Sequence, residues 1–159
     1  MRKLLTAVLV AGGVIPVPSS AASLDARGAQ AIVAGCVQHS TGRRQSHAIA
    51  VVDAGGQLVA ALRMDGNGFG IMDFALAKAR AAAAWGFGTG RMAEAAQATP
   101  GFGAAPHVVT VAGGLPVFSA DGAERIGAVG VSGEAPADDA ACAEAGIAAA
   151  GLRSARGGN

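Results

Sequence analysis

The chain has 159 residues, 12 basic and 11 acidic side chains, a formal charge of +1 and charged residues at only 14%. That balance, with no basic stripe and no interleaving of basic and aromatic residues, argues against nucleic acid as a partner. With 25 glycines and aromatic residues at 4%, its core must come from close approach of small side chains rather than from large rings.

Arg2 and Lys3 precede an apolar run from Leu4 to Val17, Pro16 and Pro18 interrupt any helix, and Ser19-Ser20-Ala21-Ala22 ends the run on small residues. This is the pattern of a signal peptide over 1–22. About 14 apolar residues fall short of the roughly 20 that cross a bilayer. The mature protein, starting near Ala22 or Ser23, is therefore expected in the periplasm or secreted, with no membrane span once the signal is removed. Losing Arg2 and Lys3 leaves ten basic against eleven acidic groups, a charge of −1. The remainder is long enough for one domain over 23–152 with its own core, followed by a flexible tail at 153–159.

The first helix is expected over 24–39, capped by Ser23, with Ala29, Ile32, Cys36 and Val37 among the residues on one face. Strands at 47–52 and 57–63 flank Asp53-Ala54-Gly55-Gly56, a strong hairpin turn. A glycine-rich loop at 64–70 leads into a second helix over 71–85. Thr89 stands where it would cap a short third helix over 91–97. A loop at 99–106 precedes a strand at 107–111, and Gly113-Gly114 and Ala120-Asp121-Gly122 turn the chain between strands at 115–119 and 125–132. Pro136 opens the last helix, which runs to about 152, with Asp138 and Asp139 at its positive end. Short hairpins require antiparallel pairing. The fold class is α+β, with about five strands and helices packed against them.

Cys36 and Cys142 lie in helices at opposite ends of the chain. In an oxidising compartment they either form a disulfide, which requires those helices to pack side by side, or remain two buried thiols. Gly88-Thr89-Gly90-Arg91-Met92-Ala93 imitates a dinucleotide fingerprint, but an Ala-rich helix rather than a strand precedes it. His39, His47 and His107 are too scattered for a structural zinc site. A haem iron, however, needs only a single axial side chain.

The string Ala50-Val51-Val52-Asp53-Ala54-Gly55-Gly56-Gln57-Leu58-Val59, then Arg63-Met64-Asp65-Gly66, is the first of several motifs in a familiar order. Asp73-x-Ala75-x-x-Lys78-Ala79, Gly113-Gly114-Leu115-Pro116, Ile126-Gly127-Ala128-Val129-Gly130-Val131-Ser132-Gly133, Asp138-Asp139 and Ala143-Glu144-Ala145-Gly146 follow. Together they resemble the GlcG/HbpS-type domain, also found as the C-terminal part of some cobalamin adenosyltransferases. The resemblance spans about 24–152 and implies a profilin-like α-β-α sandwich that forms homo-oligomers. It also implies haem as a cofactor and a role in haem or iron sensing or handling. The chain departs from common members in lacking Tyr, in His107 and in the Gly-Ala-rich loop at 101–105.

Arg63, Asp65 and Lys78 are the informative charges of a charge-poor chain. Lys78 either pairs structurally with Asp65 or Asp73, or joins Arg63 in a pocket for an anionic ligand beside Gly113, Gly114 and Pro116, whose turn offers backbone amides to a carboxylate or haem propionate. His39 and His107 are candidate haem-iron ligands, and Met64 is a softer alternative. The primary expectation is a secreted haem- or tetrapyrrole-binding protein. The alternative is a small oxo- or hydroxy-acid lyase or tautomerase, with Lys78 as acid/base, Arg63 as carboxylate clamp and Asp65 beside them.

Overall fold

A computed structural model describes residues 23–158, so the signal peptide expected over 1–22 lies outside the described residues. The elements run α1 (Ala26–Arg43), β1 (Ala48–Asp53), β2 (Leu58–Arg63), α2 (Phe69–Trp85), α3 (Thr89–Ala98), β3 (Gly114–Phe118), β4 (Arg125–Ser132) and α4 (Pro136–Ala149), with a 3-10 turn at Phe102–Ala104. The strands form one antiparallel sheet in the order β2-β1-β4-β3. No helix among the described residues is long and apolar enough to cross a membrane.

Alternation along the two central strands sorts side chains by size onto the two faces of the sheet. Ile49, Val51, Val129 and Val131 pack against Ile32 and Cys36 of α1 and Cys142 and Ile147 of α4. On the other face Ala48, Ala50, Val52 and Ala128 meet Ala75, Ala79, Ala82 and Ala83 of α2. Small residues on both sides bring the α2 backbone unusually close to the sheet. At Gly130 a side chain would collide with the Ala75 carbonyl and the Ala79 amide. The result is the α-β-α sandwich expected from the sequence, with α1 and α4 forming one layer. Their side-by-side packing lets Cys36 and Cys142 join in a disulfide, with Cα atoms 4.7 Å apart.

The sheet has four strands where about five were expected. Val108-Val109-Thr110-Val111 has strand propensity but finds no ladder to join. The preceding loop is tied to the end of α2, where the Trp85 indole donates to the Pro106 carbonyl (3.1 Å) and packs edge-on against Phe102. His107 then adopts a left-handed conformation (φ 59°) that breaks any extended run. Two caps also differ from expectation. Asp25, not Ser23, caps α1 by accepting from the Gly28 amide (2.7 Å). Thr89 is itself the first residue of α3 and spends its hydroxyl elsewhere. The segment expected to be a free tail is pinned. Arg153 exchanges two backbone hydrogen bonds with Phe118 (2.7 and 3.2 Å), and the Gly157 amide donates to the Gly122 carbonyl (3.0 Å).

Candidate functional site

The pinned C-terminal segment forms one wall of a cleft of about 770 Å³. The connection between α2 and α3, the start of α3, the turn before β3, β3 itself, the first residue of β4 and one face of α4 supply the rest. Three guanidinium groups line it. Arg91 lies over the Phe87 ring and Arg156 over the Phe118 ring, each 5.9 Å from the ring centroid, so stacking holds both cations at aromatic walls. Arg125 approaches Gly86, where a left-handed backbone (φ 76°) ends α2 and a side chain would overlap the guanidinium. Glu144 is the one carboxylate among the described lining residues, so the lining carries three positive charges against one negative.

Gly113 and Gly114 lie against the polar core. Gly113 has φ 120°, and a Cβ there would lie 2.9 Å from both the Lys78 ammonium and Asp139 Cβ. Only glycine lets the chain pass over that pair at this distance. The Gly114 amide donates to Thr89 Oγ1 (2.9 Å). That amide is therefore already satisfied within the fold rather than held open for a ligand.

Beneath Gly113 runs a buried polar chain drawn from four elements. Lys78, at 0% exposure, donates from Nζ to Asp139 Oδ2 (2.8 Å) and to the Val131 carbonyl (2.9 Å). Asp139 Oδ1 also accepts from the Glu134 amide (3.1 Å) and faces His47 Nε2 at 3.5 Å. His47 Nδ1 and Ser40 Oγ are hydrogen-bonded (2.8 Å), and Ser40 donates onward to the Cys36 carbonyl (2.8 Å) while lying 3.1 Å from Cys142 Sγ. Burial lowers the His47 pKa below its ordinary value, against the opposing pull of the Asp139 carboxylate. The chain thus links the disulfide to the cleft through buried groups.

The sequence-derived candidates separate into three places. Gly113, Gly114 and Pro116 line the cleft. Lys78 sits under it in an ion pair with Asp139, not with Asp65 or Asp73 as the spacing had offered. Arg63 is exposed at the end of β2, where its guanidinium donates to the Asn67 carbonyl, and Asp65 is exposed in the following loop with its carbonyl accepting from the Ser46 hydroxyl. Among the described residues, neither Arg63 nor Lys78 is part of the cleft lining. Met64 Sδ accepts from the His47 amide (3.5 Å). His39 lies on α1, its Nε2 buried without a hydrogen-bond partner among the described residues. His107 is exposed beside Arg80, away from the cleft. Sequence reasoning missed Arg91, Arg125 and Arg156. Arg91 lies in the first turn of α3, Arg125 opens β4 and Arg156 lies in the segment after α4, so no shared local signal marked them.

The family model for the haem degrading protein HbpS-like family matches residues 24–148. Solved structures with this architecture include a double mutant of Streptomyces reticuli HbpS, 26% identical with a TM-score of 0.74 over 87% of this chain and 97% of that one. Klebsiella pneumoniae protein ORFY is 26% identical with a TM-score of 0.75 over 86% and 97% of the two chains. PduOC, crystallised as a haem complex, is 24% identical with a TM-score of 0.77 over 85% of this chain and all of its own. No curated protein matches the chain.

Proposed function

This chain belongs to the HbpS-like haem degrading protein family, and from that premise we propose that it is an exported haem-binding protein that uses the arginine-lined cleft. The observation that carries the reading is the meeting of three guanidinium groups and two aromatic rings around one cavity. A haem has two acid side chains and two flat apolar faces, and this lining offers guanidinium groups to the former and the half-buried Phe87 to the latter. Arg91, Arg125 and Arg156 would hold the propionates, and the half-buried Phe87 would meet the ring. Haem, when bound, supplies a redox-active iron. The family assignment and the haem complex of PduOC, a protein of the same fold, support this reading.

The fit does not extend to the metal. Among the described residues, no His, Cys or Met lines the cleft. His39 and His107, the sequence-derived ligand candidates, stand outside it. The buried Lys78 is committed to Asp139 in an ion pair beneath the cleft rather than free to meet a substrate. The signal-peptide pattern of the sequence over 1–22 supports delivery to the periplasm or beyond, where accessory work in haem or iron handling would take place.

Titrating the purified mature protein with hemin tests the reading. A saturable Soret shift at micromolar protein is expected, weakened in Arg125→Ala. An unshifted Soret band at micromolar protein refutes it. N-terminal sequencing of the protein recovered from the periplasm is expected to start near Ala22 or Ser23, and an intact Met1 refutes export by this signal.

A further inference from the structure

The mismatch between a cleft shaped for acid groups and one without a conventional iron ligand has a consequence for specificity. We propose that the cleft recognises an anionic tetrapyrrole by its carboxylate edge and ring faces, not by its metal, so that metal-free porphyrin binds as well as haem does. This rests on the haem-binding reading and narrows it to a ligand class.

Among the described residues, every His, Cys, Met and Lys is occupied elsewhere or lies off the cleft. Cys36 and Cys142 are joined to each other. His47 is buried between Ser40 and Asp139. His39 is on α1, and His107 lines the grooves beside Arg80. Lys78 donates to Asp139 and Val131. Among the described lining residues Glu144 is the only charged oxygen donor, and it is exposed. Two of the attractive groups that remain are restrained by contacts within the chain. Arg91 and Arg156 are stacked on rings, and the Arg156 guanidinium also donates to the Ala123 carbonyl (3.4 Å). Pre-set cations lose less rotamer freedom when a carboxylate arrives. Every one of these contacts is available to protoporphyrin IX as fully as to hemin, because the acid groups and the ring faces are the same in both.

The test is a pair of equilibrium titrations on the mature protein, one with hemin and one with protoporphyrin IX, read by ligand absorbance and by quenching of Trp85 fluorescence. Dissociation constants within about threefold of each other are expected. Arg125→Ala should weaken both ligands by a shared factor of about ten, and the exposed Arg91→Ala and Arg156→Ala by about threefold each. His39→Ala, His107→Ala and Glu144→Gln should leave the ratio of the two constants unchanged. A preference for hemin of about thirtyfold or more overturns the inference, as does loss of hemin binding alone in any of those three variants, while leaving the haem-binding reading in place. Binding of both ligands that ignores all three arginine substitutions overturns the choice of cleft. Failure of both ligands to bind overturns the haem-binding reading together with the inference. Arg125→Lys, which keeps the charge, distinguishes a lost contact from a disturbed fold by restoring part of the affinity to both ligands.

Discussion

Replacing Lys78 with Met removes a cation from a place where its partner cannot reach water. Lys78 is 0% and Asp139 2% exposed, and their side chains meet at 2.8 Å. After Lys78→Met, the Asp139 carboxylate keeps only the Glu134 amide at 3.1 Å and the His47 imidazole at 3.5 Å. Stranding a buried charge in this way costs about 3 to 5 kcal/mol. For a domain of this size that corresponds to a fall in Tm of roughly 10 to 20 °C. Replacing both partners, as Lys78→Met with Asp139→Leu, strands no charge and should recover most of the loss, since well-packed apolar groups often equal a buried ion pair. Urea unfolding at pH 7.5, followed by far-ultraviolet circular dichroism, measures all three variants against the parent. The reasoning fails if Lys78→Met stays within about 1 kcal/mol of the parent, or if the double variant is no more stable than the single one.

Three further outcomes are expected. Burial lowers the His47 pKa from its ordinary 6.5, with Asp139, Glu134 and Asp138 pulling the other way and His39 adding to the decrease. The unfolded imidazole therefore takes up a proton that the native site resists, so this contribution is complete above pH 6.5 and is lost as the pH falls towards the native value. Unfolding free energies between pH 7.5 and 5 should show that slope in the parent and not in His47→Gln; an equal slope in both would exclude His47 as its source. Reducing the Cys36–Cys142 bridge, which closes 106 residues of sequence, should lower stability by about 4 to 5 kcal/mol, and a melting temperature indifferent to dithiothreitol would contradict the bridge. Gly130→Ala should cost about 3 kcal/mol or more, because the added methyl meets the α2 backbone at Ala75 and Ala79; a variant with parental stability would show that α2 does not approach so closely.

Much of the scaffold is written locally. Asp53-Ala54-Gly55-Gly56 forms the expected hairpin because each residue meets a local requirement. The Asp53 carboxylate accepts from the Gly55 and Gln57 amides (both 2.9 Å), and Gly56 supplies φ 80°. The strand expected at 125–132 forms with those limits because its glycines and β-branched residues suit a central strand buried on both faces. The segment at 107–111 shows the limit of such reasoning. Its residues favour extension, but extension becomes a strand only when a neighbour supplies a ladder, and the Trp85–Pro106 anchor holds the preceding loop instead.

Lys78 was recognisable from sequence as a charge out of place on an apolar helix. Its partner was not, because Asp139 lies 61 residues away and reads locally as a helix-start acid suited to the dipole. The same distance problem hid the cleft, whose arginines come from α3, β4 and the C-terminal segment. The pinning of that segment by Phe118 and Gly122 turns Arg156 into a cleft residue.

By itself the sequence determined the antiparallel α+β class, the family resemblance and the small-residue character of the sheet, since these follow from turn chemistry, periodicity and composition read over a few residues at a time. Only the tertiary structure decided that Lys78 belongs to Asp139, that Cys36 meets Cys142, and that three arginines rather than Arg63 face one cavity. Those outcomes depend on which backbone segments come within a few ångströms of one another, and no local propensity encodes that proximity.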